Sequence, residues 1–124
     1  MDLIYREEAY ALVGACLEVY NELGCGFLED PYKEAFELER GYRNIPFVAK
    51  PKLPIYYKGV LLTKKYEPDF VPYDKIILEI KAVKALADEH RAQVHNYSKA
   101  SSFKVGLLVN FGKANDLEYE RIVR

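Results

Sequence analysis

Cysteine is scarce in this chain, long apolar runs are missing, and no segment is repeated or of low complexity. Each absence removes a class of protein. The 2 cysteines, Cys16 and Cys25, stand in no metal-binding or redox spacing. Cys16 falls in an apolar helical run and reads as a small core residue. Adding the distant His90 and His95 does not turn the pair into a zinc site. No run approaches the roughly 20 apolar residues of a membrane-spanning helix, so no membrane partner is expected. Residues 1–8 turn acidic early, unlike a signal peptide, and a cytoplasmic protein is expected. What is present suits a conventional fold: 50% of the 124 residues are hydrophobic and 30% are charged, enough to bury a core and avoid disorder. One domain over residues 1–124 is expected.

The net charge of −1 hides an asymmetry. Residues 1–40 carry 3 basic side chains against 10 acidic ones, whereas the remainder carries 15 against 9. Between Gly41 and Tyr66 there is no acid, while Arg43, Lys50, Lys52, Lys58, Lys64 and Lys65 are all basic. Non-specific affinity for nucleic acid comes from Lys and Arg contacts to phosphate, so Lys50, Lys52, Lys64 and Lys65 are candidate backbone contacts. Lysines on edge strands also discourage aggregation, and the residues alone do not choose between the two. Tyr56, Tyr57 and Tyr66, interleaved with these lysines, are open to either a core or a stacking role.

Ala9, Leu12, Val13, Cys16, Leu17 and Tyr20 recur with the period of one helix face and predict a helix over residues 7–23, ended by Gly24 and Gly26. A second helix is predicted over residues 29–40, with Leu28, Tyr32, Ala35, Phe36 and Leu38 inward. Glu29 heads the stripe that continues as Tyr32 and Phe36. Strands are expected at residues 45–49, 53–57, 60–71 with a bend near Pro68, 75–83, 105–111 and 117–123. Lys58-Gly59 turns one hairpin, and residues 88–100 form a third helix. Helices and strands in this order make an α/β sandwich with a mixed sheet.

The most demanding stretch is Ile76-Ile77-Leu78-Glu79-Ile80-Lys81. Alternate side chains of a strand point to opposite faces, so Glu79 and Lys81 share one face while Leu78 and Ile80 line the other. If Tyr73-Asp74-Lys75 is the loop, Phe70 pairs with Leu78 and Asp69 lies across from Glu79; a one-residue slip would turn Asp69 away. Two adjacent carboxylates suit Mg²⁺, which takes oxygen ligands and keeps several waters. The bland alternative is a cross-strand ion pair on a solvated face, worth a few tenths of a kcal/mol.

Pro68-Asp69 followed by Glu79-Ile80-Lys81 resembles the PD-(D/E)xK nuclease superfamily signature. Gly26-Phe27-Leu28-Glu29-Asp30-Pro31-Tyr32 reads as G-x-x-E-x-x-Y and is similar to the small GxxExxY protein family, a branch of that superfamily. Gln93-Val94-His95-Asn96-Tyr97 reads as Q-x-x-x-Y, an element of its RecB-like nucleases. The ending Leu107-Leu108-Val109-Asn110-Phe111-Gly112, then Arg121-Ile122-Val123, is similar to the closing strands. Departures fall at Cys25, Tyr20 and the loop Gly41-Tyr42-Arg43-Asn44, outside the metal constellation.

The resemblance implies an α-β-β-β-α-β core with an extra N-terminal helix and a C-terminal edge strand. It implies hydrolysis of a nucleic-acid phosphodiester, DNA first, with Mg²⁺ or Mn²⁺ held by Asp69, Glu79 and the Ile80 carbonyl. Lys81 orients the nucleophile, Gln93 holds the lysine or a phosphate with support from Tyr97, and Glu29 is the helix-borne acid in preference to Glu34. The alternatives are a non-catalytic nucleic-acid-binding module or a protein-interaction module, with a homodimer seam along the first helix. Because facing carboxylates repel without a cation, Asp69→Asn is expected to preserve or raise the melting temperature of the metal-free protein.

Overall fold

In the computed structural model, which describes residues 4–124, the apolar stripe of the first helix, α1 (Arg6–Leu23), buries Leu12, Ala15, Cys16 and Val19. Gly24 and Gly26 end it with φ of 69° and 116°, the left-handed region that favours glycine. Helix α2 (Glu29–Tyr42) turns back across it and buries Tyr32 and Phe36. Leu28 and Leu38 were expected inward but are 82% and 56% exposed. They flank the narrow stripe that Tyr32 and Phe36 fill, with Ala35 partly buried beside them.

The strands are β1 (Phe47–Ala49), β2 (Tyr56–Tyr57), β3 (Val60–Leu61), β4 (Phe70–Pro72) and β5 (Ile76–Lys81). Helix α3 (Asp88–Ala100), β6 (Val105–Asn110) and β7 (Glu118–Val123) complete the chain. The sheet order is β1-β4-β5-β6-β7, with only β5 and β6 parallel; β2 and β3 form a separate two-stranded ribbon. The long strand expected over residues 60–71 is therefore not continuous. Its middle is held by one bridge, Leu53 to Tyr66, and pairing with the main sheet begins at Phe70.

One sheet face meets α1 and α2 through Ile76, Leu78, Ile80, Leu107 and Val109. The opposite face meets α3, where Val94 packs with Leu108 and Leu86. This is the expected α/β arrangement, a mixed sheet flanked by helices, with α1 as the extra helix and β7 as the closing edge strand. Alternation along β5 leaves Glu79 and Lys81 on the α3 side, since their neighbours belong to the α1/α2 core.

Asn110, fully buried at the end of β6, accepts from the Val83 and Gly112 N–H groups and donates to the Val83 carbonyl and the Glu118 carboxylate. It locks the end of β5 to the turn after β6. A Cβ at Gly112 would fall inside contact distance of the Val83 backbone. Gly112→Ala should therefore cost about 1–3 kcal/mol, the usual penalty of overpacking, read as a lower urea midpoint.

Candidate active site

The loop Tyr73-Asp74-Lys75 sets the register. Tyr73 and Asp74 both take left-handed φ, 59° and 56°, and the Lys75 N–H donates to the Pro72 carbonyl at 3.2 Å. Phe70 then pairs with Leu78, which carries Asp69 to the level of Glu79. Beyond that pair the strands part at Pro68. Side chains replace the missing ladder: the Asp69 N–H donates to Glu79 Oε1 at 3.1 Å, and the Ile80 N–H donates to Asp69 Oδ2 at 2.8 Å. Each carboxylate holds the other's strand.

The two carboxylates face different grooves. Glu79 and Lys81 line a groove of about 230 Å³ together with Gln93, Tyr97, Lys65 and Tyr66. Asp69, accepting an in-plane N–H, lies in the gap between the strands and opens toward α2, where it lines a second groove with Lys33, Glu34 and Lys50. The one-face arrangement expected from alternation thus holds for Glu79 and Lys81, while the parting of the strands displaces Asp69 toward the helix. Among the described residues no three His, Cys, Asp or Glu side chains cluster as a ready metal cage.

The helix-borne residues divide accordingly. Glu29 reaches Asp69 only through Lys33, whose ammonium lies 2.9 Å from Glu29 Oε1 and 2.7 Å from Asp69 Oδ1. Sequence reasoning overlooked Lys33, although its position four residues after Glu29 marks an ion pair along one helix face. Tyr32 closes the turn before α2: its hydroxyl donates to the Gly24 carbonyl at 2.6 Å and accepts from the Phe27 N–H at 3.2 Å. Gln93 and Tyr97 lie on the groove side of α3, while Lys52 and Lys64 are exposed and line neither groove.

Tyr66, undecided in the sequence, is buried and donates to Glu79 Oε1 at 3.0 Å. Its ring stacks on Tyr97 with centroids 4.0 Å apart and planes 4° apart. The stack walls the groove and orients the carboxylate.

A family model described as the PD-(D/E)XK nuclease superfamily matches residues 6–122. The chain belongs to the PD-(D/E)XK nuclease superfamily. Among solved structures, the crystal structure of SSO0001 superposes with a TM-score of 0.60 at 20% identity, covering 97% of this chain and 60% of that one. At that identity the likeness speaks for the fold alone. No protein of curated function matches the sequence. No helix among the described residues is long and apolar enough to cross a membrane.

For a member of this nuclease superfamily, the electrostatics of the groove carry information. Burial, reinforced by the neighbouring Asp69 charge, pushes the Glu79 carboxyl up from 4.5 to about 7 despite its hydrogen bonds from the Asp69 N–H and Tyr66. Burial and the same Glu79 charge hold the Tyr66 phenol well above the ordinary tyrosine range. Partial burial pulls the Lys33 ammonium down, but its bonds to Asp69 and Glu29 outweigh that and leave it above the usual lysine value. One carboxylate of the pair therefore has a resident cation, and the other is left in need of one.

Proposed function

We propose that this chain is a divalent-metal-dependent nuclease of the GxxExxY branch, acting on DNA in the cytoplasm, alone or as a homodimer. The observation that carries the reading is the Glu79 carboxylate, half-buried beside Asp69, bonded only through neutral donors, and opening into a groove with Lys81. A carboxylate so far desolvated beside a second one is costly to ionise, and such costs gather at functional sites.

Asp69, Glu79 and the Ile80 carbonyl would supply an all-oxygen donor set for Mg²⁺ or Mn²⁺, the ion displacing the Lys33 ammonium from Asp69 and drawing the two carboxylates together. The chemistry such an ion supplies is charge neutralisation at phosphorus and activation of water. Lys81 holds the nucleophile and faces the developing charge from the same groove. Gln93 positions Lys81 or a phosphate oxygen, and Tyr97 backs Tyr66 behind Glu79. Lys65 at the groove rim, with Lys50, Lys52 and Lys64 on the acid-free stretch, meets the phosphate backbone. Glu29 acts on Asp69 through Lys33.

The test is cleavage of labelled linear, circular, nicked and branched DNA with Mg²⁺ or Mn²⁺. Cleavage should vanish with chelator. Lys81→Met should lower kcat about 100-fold or more while the rise in melting temperature with metal persists, because the lysine supplies no metal ligand. The pairing of Asp69 with Lys33 favours one second reading, a non-catalytic binding or interaction module. Nucleic-acid binding without cleavage, and no thermal shift with either metal, would establish it.

A further inference from the structure

We infer that the ribbon of β2 and β3 is a stacking grip for unpaired bases, so that the nucleic acid handled by this chain is single-stranded where it meets the groove. The inference rests on the nucleic-acid reading above and names its substrate class.

The ribbon is unusual in what it exposes. Tyr56, Tyr57, Val60 and Leu61 are 57%, 61%, 64% and 50% exposed. Both strands are only two residues long and neither joins the five-stranded sheet. Lys58 and Gly59, with φ of 48° and 80°, form the tight turn between them, and the Leu62 N–H closes the ribbon on the Ile55 carbonyl at 2.9 Å. A hairpin this short, with no face packed on a core, gains little stability from its own apolar side chains. Two adjacent tyrosines held out in water are thus not explained by folding.

Charge and continuity name the occupant. The ribbon lies inside the acid-free stretch from Gly41 to Tyr66, flanked by Lys52 and by Lys64 and Lys65. Lys58 sits 5.5 Å from the centre of the Tyr57 ring, so the aromatic surface carries positive charge with it. At the base of the ribbon, Leu53 and Tyr66 exchange backbone bonds of 2.7 and 2.9 Å, and Tyr66 is the residue that bonds Glu79. A strand lying on the ribbon is led along Lys65 into the groove. In a duplex the base faces are covered by their neighbours. Tyr56 and Tyr57 leave the ribbon by opposite faces, so only unpaired bases, free to swing to either side, offer each ring a π-face, and such stacking tolerates any sequence.

The experiment is fluorescence anisotropy in chelator, with a labelled single-stranded oligonucleotide and its duplex, on the wild type and on variants at both tyrosines. The wild type should bind the single strand more tightly. Tyr56→Ala with Tyr57→Ala should weaken that binding about tenfold or more. Its duplex affinity should stay within about twofold and its melting temperature should not move, since both side chains are solvated. Tyr56→Phe with Tyr57→Phe should restore stacking and affinity. Equal loss on single strand and duplex, or no loss on either, would overturn the inference while leaving the nuclease reading in place. A dimer in solution that the alanine variant dissolves, with oligonucleotide binding unchanged, would assign the ribbon to a second copy instead. If the wild type binds neither form of DNA, nor single-stranded RNA, both readings fall together.

Discussion

Glu79→Gln is expected to abolish metal-dependent cleavage, by about 1,000-fold or more, and at the same time to stabilise the metal-free protein above neutral pH. The folded state raises the Glu79 pKa from 4.5 to about 7, so it holds this proton more tightly than the unfolded chain does. The stability linked to that proton is fully present below about pH 4.5 and is lost as pH rises through 7. At 1.36 kcal/mol per unit the whole window is worth about 3 kcal/mol, an upper figure for a group that hydration partly relieves. Glutamine is neutral throughout and retains an oxygen for the Asp69 N–H and the Tyr66 hydroxyl. Urea melts in chelator from pH 4.5 to 8 should show the two proteins diverging as pH rises, the variant staying higher. Added Mg²⁺ or Mn²⁺ should then raise the wild type and leave the variant unmoved, by mass action on the folded state alone. Curves that stay parallel across that range would show that Glu79 carries no uncompensated charge.

Asp69→Asn should also abolish cleavage, with the opposite effect on stability. Asp69 Oδ1 lies 2.7 Å from the Lys33 ammonium and Oδ2 accepts from the Ile80 N–H at 2.8 Å, with the carboxylate side chain 11% exposed. An amide supplies one acceptor for two donors, so either Lys33 or the Ile80 N–H faces an NH₂ group. Breaking a largely buried charged contact outweighs the repulsion relieved at Glu79, where burial rather than Asp69 is the larger cause of the shift. A loss of about 2 kcal/mol is expected at pH 7, measured in chelator by urea melts. The charge pattern of the sequence alone suggests the reverse, because it shows two facing carboxylates and hides the lysine that arrives from α2. Two variants that remove the same chemistry but move stability in opposite directions distinguish this site from a generic cross-strand ion pair.

The sequence by itself determined the pairing of Phe70 with Leu78, the order of the main elements and the placing of Glu79 and Lys81 on one face. Those follow from short-range physics. Period-2 alternation places Glu79 with Lys81, a three-residue loop pairs Phe70 with Leu78, and apolar periodicity marks α1. Glu29 with Tyr32 and Gln93 with Tyr97 stand at helical offsets of three and four, which puts each pair on one helix face. Tertiary structure alone decided what the charges do. Lys33 meets Asp69 across 36 residues of sequence, and Tyr66 reaches Glu79 from a segment that no periodicity assigned to core or surface. The parting of β4 from β5 sends one carboxylate toward α2 and leaves the other against α3. Local patterns set which face a side chain leaves by; where it ends, and which counter-charge it finds there, depends on the packing of helices distant in the chain, and burial then turns that placement into a shifted pKa.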